Sequence, residues 1–231
     1  MKIYLTVIIA SIYNITAHTQ NEFKKESYWG LKSGINIHQV AFDANINTKI
    51  DIGYTSGFVF KYIEEKGHGI QLELNLQQVG WSEKISQPYS YTRHSSYIQV
   101  PIMTQFIFDE GNKSYLLHLG IYGSALIKEK EKINLPIDYN PLKNSRDLPS
   151  WFTNGKDIVN KNVYYGQSVD KKTEYGICAG LGISWHPRNA ILQLEIRYNQ
   201  SLCNVFDPKK YAIYSSKSQF MEITLVYLIG K

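Results

Sequence analysis

The sequence of 231 residues predicts an all-β fold, an eight-stranded antiparallel up-and-down transmembrane β-barrel. Three observations carry that expectation. Hydrophobicity alternates with a period of two rather than 3.6, the connections switch regularly between long and short, and aromatic residues gather at the ends of the alternating windows. Composition agrees with the fold without selecting it. The chain is 43% hydrophobic and 19% charged with two cysteines, so it is neither a disordered chain nor a disulfide-stapled scaffold. Its negative mean hydropathy excludes a bundle of membrane helices but not a barrel, whose strands show lipid only every second residue.

Residues 1–19 read as a secretory signal. Lys2 supplies the positive end, an apolar stretch opens at Ile3 and fades by Ile15, and Ala17 and Thr19 are the small residues before a cleavage ahead of Gln20. That apolar run is shorter than the ~20 residues a spanning helix needs. Residues 20–28 are expected to be a periplasmic tail and 29–228 the barrel. The net charge of +5 is mild and spread without a basic block, which argues against nucleic acid as a partner.

The clearest strand is 70–77, where Ile70, Leu72, Leu74 and Leu76 alternate with Gln71, Glu73, Asn75 and Gln77. The same alternation recurs in 192–199. Weaker versions cover 29–38, 53–62, 97–108, 115–127, 174–185 and 219–228, giving eight strands of about ten residues, the length a tilted spanning strand requires. The connections at 64–68, 109–113 and 186–189 are short, while those around residues 43–51, 82–95, 129–172 and 203–217 are longer. Segregation of loop lengths by end is the pattern of short periplasmic turns and longer outer loops.

The apolar face of each window carries no charged residue, as expected where a lysine or arginine facing lipid at mid-depth costs about 2–4 kcal/mol. Trp29, Tyr62, Phe108, Tyr115, Trp185 and Tyr227 fall at the short-turn end of that face, and Tyr54, Tyr175 and Tyr198 at the long-loop end with Trp81 close by. Two aromatic bands one hydrocarbon thickness apart are what interfacial rings form. The opposite face holds Lys32, Lys61, Glu73, Glu195, Arg197 and Glu222 among glutamines and asparagines. Eight strands leave a lumen that side chains fill, and three positive and three negative charges suit a self-neutralised structural plug there. Lys61 and Glu73 are expected near each other across the 64–68 hairpin. Glu222 meets Lys32 only if the last strand closes against the first.

The resemblance that these segments carry is to the PorT-like outer-membrane β-barrel family, common among Bacteroidetes-type Gram-negative bacteria. Gly30-Leu31-Lys32-Ser33-Gly34-Ile35-Asn36 is similar to its opening G-x-K-x-G-x-N strand, and 71–80 to its third strand with a Q-x-G-like end. Tyr97-Ile98-Gln99-Val100-Pro101 resembles its Y-L-x-I-P segment, and Gly176, Gly180 and Gly182 followed by 194–198 its penultimate hairpin. The similarity runs in order through nearly all of the mature chain. One departure is the ending. Members usually finish on an aromatic residue that assembly machinery reads, whereas Tyr227 is followed here by Leu228, Ile229, Gly230 and Lys231. The resemblance implies outer-membrane lipid and the assembly machinery as partners, and a role with secretion-system or surface proteins.

Chemistry is sparse. Six histidines fall on separate elements with no H-x-x-x-H or C-x-x-C spacing, so neither a metal nor a cofactor is expected, and no catalytic residue is assigned. Pairing across the 186–189 turn places Cys178 opposite Arg197 and Cys203 roughly 20 Å away, too far for a disulfide. The 129–172 loop, with Pro136, Pro141 and Pro149 and the aromatics Trp151, Phe152, Tyr164 and Tyr165, is long enough to ask for a role. Trp151 and Phe152 are the candidate contacts to a partner or glycan, and the alternative is that the aromatics pack the loop over the barrel mouth. The expected function is therefore a non-enzymatic barrel of the cell outer membrane, with a closed polar interior, acting as a structural, adhesion or secretion-accessory protein. The alternatives are a soluble lipocalin-like carrier with the apolar face inward, and a barrel enzyme acting on lipid or peptide.

Overall fold

The computed structural model describes residues 25–42, 48–65, 67–83, 88–135, 165–187, 190–207 and 215–230. The expected signal 1–19, most of the expected tail, and Trp151 and Phe152 lie outside the described residues. The strands are β1 (Glu26–Phe42), β2 (Thr48–Lys49), β3 (Asp51–Glu65), β4 (His68–Glu83), β5 (Ser90–Glu110), β6 (Lys113–Asn134), β7 (Thr173–Trp185), β8 (Ala190–Asn204) and β9 (Ser216–Gly230). All pairings are antiparallel. β1 pairs β9 from Tyr28↔Gly230 to Phe42↔Ser216, and β4 pairs β5, so the eight long strands close into a ring with the two-residue β2 added to β4. This is the up-and-down barrel that the period of two predicts.

Facing follows from that period. The rows led by Trp29 (65% exposed), Phe58 (67%) and Leu181 (65%) point outward, while Lys32, Gln71, Gln99, Gln193 and their polar neighbours point in and are buried. A soluble carrier needs the reverse arrangement, so the lipocalin-like alternative is overturned. The girdle holds at Trp29, Phe108, Tyr115 and Tyr227 and at Tyr54, Tyr175 and Tyr198. Tyr62 and Trp185 are only half-buried on that face, and Trp81 departs from it altogether at 2% exposure. It shares the odd parity of Gln71, Glu73, Asn75 and Gln77, and so points into the barrel.

The strands are longer than their sequence windows, reaching 22 residues in β6 against the 9–11 or so that cross a bilayer. Glu26 to Tyr28 of the expected tail already belong to β1, and Glu129 to Asn134 of the expected loop to β6. Most of the excess lies at the long-loop end, where β5 and β6 stay paired out to Ser90↔Asn134. The barrel wall thus continues beyond the Tyr54, Tyr175 and Tyr198 level.

Two register details change the expected contacts. Across the β7–β8 turn Cys178 lies opposite Asn199, not Arg197, whose partner is Gly180. A shift of two residues leaves every side chain on its own face, which is why facing survives it. Both cysteines are buried and free. The second detail is a β-bulge on β6. Tyr97 pairs Leu126 but Ser96 pairs Lys128, leaving Ile127 as the extra residue. Beyond it the alternation reverses, so Lys128, Lys130 and Lys132 turn out, and Glu129 and Glu131 turn in.

Candidate functional site

The lumen is filled in layers. At the short-turn end Val59, Ile191, Val226 and Leu228 form a buried apolar cluster with Tyr28 packed against it. Above it sits the charged layer, contributed by β1, β3, β4, β8 and β9 because each of those strands brings its polar parity inward. Glu73 is its hub. It accepts hydrogen bonds from Lys32 Nζ (2.9 Å), Arg197 Nη1 (2.9 Å) and Nη2 (2.7 Å), Gln71 Nε2 (2.6 Å) and Asn75 Nδ2 (2.8 Å). Lys32 also reaches Glu222 Oε2 at 3.3 Å across the β1–β9 seam. Arg197 donates further to Glu195 Oε2 at 2.9 Å and lies 3.7 Å from Glu222. Glu195 is bonded in addition by Gln193 at 2.8 Å, and His118 stands 3.8 Å from it.

All six predicted charges therefore lie on the lumen face at 2% exposure or less. Lys61 and Glu73 are diagonal neighbours on the inner face of β3 and β4 but do not form an ion pair. Lys61 stands opposite Gln71 and donates across the lumen to Gln193 Oε1 at 2.9 Å, leaving Glu73 to Lys32 and Arg197. Buried charges are stable only when paired and hydrogen-bonded, and Glu73 is saturated in that sense. Two further apolar groups, Met103 with Tyr122 and Cys178, and Val79 with Tyr97 and Phe220, fill the barrel above this layer.

The long-loop end carries a second ionic site that the sequence windows missed. Val40, Trp81, Tyr91, Val169, Val205 and Phe206 form a buried cluster, and Arg93 is fully buried beside it. The guanidinium lies 5.5 Å from the ring centres of Trp81 and of Phe206, within cation–π range. Its Nε donates to Tyr91 Oη (2.9 Å), its Nη2 to Glu131 (2.8 Å) and the Gln167 carbonyl (2.7 Å), and its Nη1 to Glu129. The same two carboxylates accept the Gly166 and Val169 N–H groups, and Tyr165 Oη donates to Glu83 Oε2 (2.6 Å). The returning limb of the long loop is thereby tied down inside the barrel mouth, with Tyr165 edge-on to Tyr91. Burial raises the Tyr91 phenol above its ordinary range. Burial opposes the Arg93 charge too, but Tyr91, Glu131 and Glu129 outweigh it and hold the guanidinium above its ordinary value.

One signal for this site was present in the sequence. Residues 128–132 read Lys-Glu-Lys-Glu-Lys, a polar period of two that extends the strand past its apolar window. Arg93→Met leaves Glu129 and Glu131, each 17% exposed, without their cation. The expected loss is about 2–3 kcal/mol, confined to the outer end. Hydrogen exchange checks it: the Gly166 and Val169 amides lose protection while those opposite the Glu73 layer keep theirs.

Among the described residues, no group of three His, Cys, Asp or Glu is placed to hold a metal ion, and no helix is long and apolar enough to cross a membrane. Residues 18–207 match the model of a family described as outer membrane protein beta-barrel domain. No curated protein matches the sequence. Among solved structures the fold is similar to Ail, the attachment invasion locus protein of Yersinia pestis, at 13% identity over 88% of this chain and 99% of that one, with a TM-score of 0.43. It is also similar to OprG of Pseudomonas aeruginosa (13% identity, 89% and 94% covered, TM-score 0.46) and to Neisserial surface protein A (8%, 87% and 96%, 0.39).

Proposed function

The chain belongs to the outer membrane protein beta-barrel domain family, and we propose that it is a closed, non-enzymatic member acting through its outer loops as an adhesion, structural or secretion-accessory protein. The ionic layer gathered on Glu73 carries this reading. A solute crossing the lumen would have to part Arg197 and Lys32 from Glu73 at side-chain exposures of 0–2%, and breaking a buried pair costs about 3–5 kcal/mol. The apolar layers on either side add to that barrier. His118, 1% exposed, is hydrogen-bonding distance (3.1 Å) from Gln105 and lies beside Glu195 rather than beside a nucleophile. The PorT-like segments support the secretion-accessory version, with outer-membrane lipid, the assembly machinery and secretion-system or surface proteins as partners.

The test has two arms. In planar bilayers the purified barrel is expected to give no stable conductance steps, and regular steps of porin size would overturn the closed-lumen reading. The second arm deletes residues 137–163, which spares Glu129, Glu131, Tyr165 and Val169. The deleted barrel is expected to keep its heat-modifiable migration on gels but to lose surface attachment or secretion in cells. Undiminished attachment and secretion would remove the loop from the function.

A further inference from the structure

We propose that Lys128, Lys130 and Lys132 on β6 form a docking row for phosphate groups on the headgroups of outer-leaflet lipid. The argument begins with the bulge at Ile127. Without it, the alternation of β6 would turn these lysines into the lumen and Glu129 and Glu131 out toward the membrane. With it, the Lys-Glu-Lys-Glu-Lys run is sorted by sign: both glutamates are engaged by Arg93 inside, and all three lysines are exposed outside. Among the described residues none of the three makes an ion pair, so their charge is unspent.

Position selects the ligand. Tyr175, the outer girdle residue of β7, pairs with Gly123 of β6, and Ile127, 55% exposed, is the last apolar residue on this face before the row begins. Lys128 therefore stands where hydrocarbon gives way to headgroups. Lys128 to Lys132 spans about 13 Å along the strand, or roughly 10 Å along the membrane normal after tilt, which covers the headgroup layer and the space just above it. A strand spaces alternate side chains by about 7 Å on one face, so adjacent lysines can hold separate phosphates or share one.

The surroundings do not cancel the charge. The β5 partners of the row are Ser96, His94 and Thr92, of which the two hydroxyl residues can add hydrogen bonds to a phosphate oxygen. Asp51 lies against His94, its carboxylate 3.5 Å from the ring, on β3 with β4 and β5 between it and the row. On the other side the Leu126 N–H donates to the Lys172 carbonyl at 2.7 Å, which brings a fourth exposed lysine next to the base of the row. Compact, multiply donating ammonium groups at headgroup depth are matched by anionic phosphate, and each contributes to binding through a field that salt screens.

The experiment uses the full folded barrel in neutral detergent, with the retained lipid measured by native mass spectrometry. The probes are a lipid A-type glycolipid bearing phosphate, the same glycolipid after dephosphorylation, and inorganic phosphate as competitor. The wild-type barrel is expected to retain the phosphorylated form preferentially, with retention falling as sodium chloride rises. Neutralising one lysine is expected to weaken retention about fivefold, so K128Q/K130Q/K132Q falls by about a hundredfold at low salt. K113Q, at the opposite end of β6, stays at the wild-type value. Equal retention of both glycolipids, or a triple variant indistinguishable from wild type, overturns the proposal. Displacement by millimolar inorganic phosphate overturns the assignment to a lipid headgroup. Heat-modifiable migration scores folding, and if the triple variant fails to fold, the single variant K130Q carries the comparison.

Discussion

Glu73→Leu lowers the stability of the barrel by about 3–5 kcal/mol, measured as the shift of the urea unfolding transition in lipid vesicles. The size follows from what the carboxylate holds. Lys32 and Arg197 both direct donors at it, and both are buried to 2% exposure, so its removal takes a shared carboxylate from two cations in a dry interior. Lys32 keeps Glu222 and Arg197 keeps Glu195, which limits the loss to that range. Removing the pair together is expected to be milder. Glu73→Leu with Arg197→Met leaves Lys32 on Glu222 but takes the Arg197 cation from Glu195, which keeps Gln193, so the double variant recovers only part of the lost stability. A Glu73→Leu barrel as stable as wild type would mean that water, not protein, solvates these charges.

Gly30→Ala/Gly34→Ala is expected to destabilise the barrel by about 1–3 kcal/mol per site and to deplete the fast-migrating folded band on unboiled gels. Both glycines lie on β1 at the seam with β9, opposite Leu228 and Thr224. A methyl group at Gly30 would run into the Tyr227 carbonyl and come within 2.8 Å of Leu228 Cα, and one at Gly34 would come within 2.7 Å of Thr224 Cα. These are backbone atoms of the strand that closes the ring, so relief requires the seam itself to open. Gly123→Ala on the lipid face of β6, where no described atom lies within 4 Å of the new methyl, is the control and is expected to change little. Equal stability of the seam and control variants would show that β1 and β9 can separate without loss.

Much of this barrel is legible in the sequence. Alternation in 70–77 and 192–199 assigned the lipid and lumen faces, and the uncharged outer face with its aromatic ends assigned the membrane. Trp81 was legible too, since its odd number in β4 already places it with Glu73 rather than with Leu72. What escaped was everything beyond the apolar windows. Arg93, Val169 and Phe206 occupy stretches that read as loops, because once a strand leaves the hydrocarbon its outward residues become polar and the contrast that marks alternation disappears.

The sequence by itself determined, within the apolar windows, which side chains face lipid and which fill the lumen. Successive Cβ atoms point to opposite faces of a strand, so facing is a local property that survives even a two-residue error in pairing, as at Cys178. Only the tertiary structure decided who pairs with whom. Lys61 reaches Gln193 rather than Glu73, and Glu73 meets Arg197 across the lumen, because the stagger and curvature of a closed ring set those distances. It also decided where parity reverses. The bulge at Ile127 exists only in the register between β5 and β6, and that one extra residue turns three lysines outward and two glutamates onto Arg93.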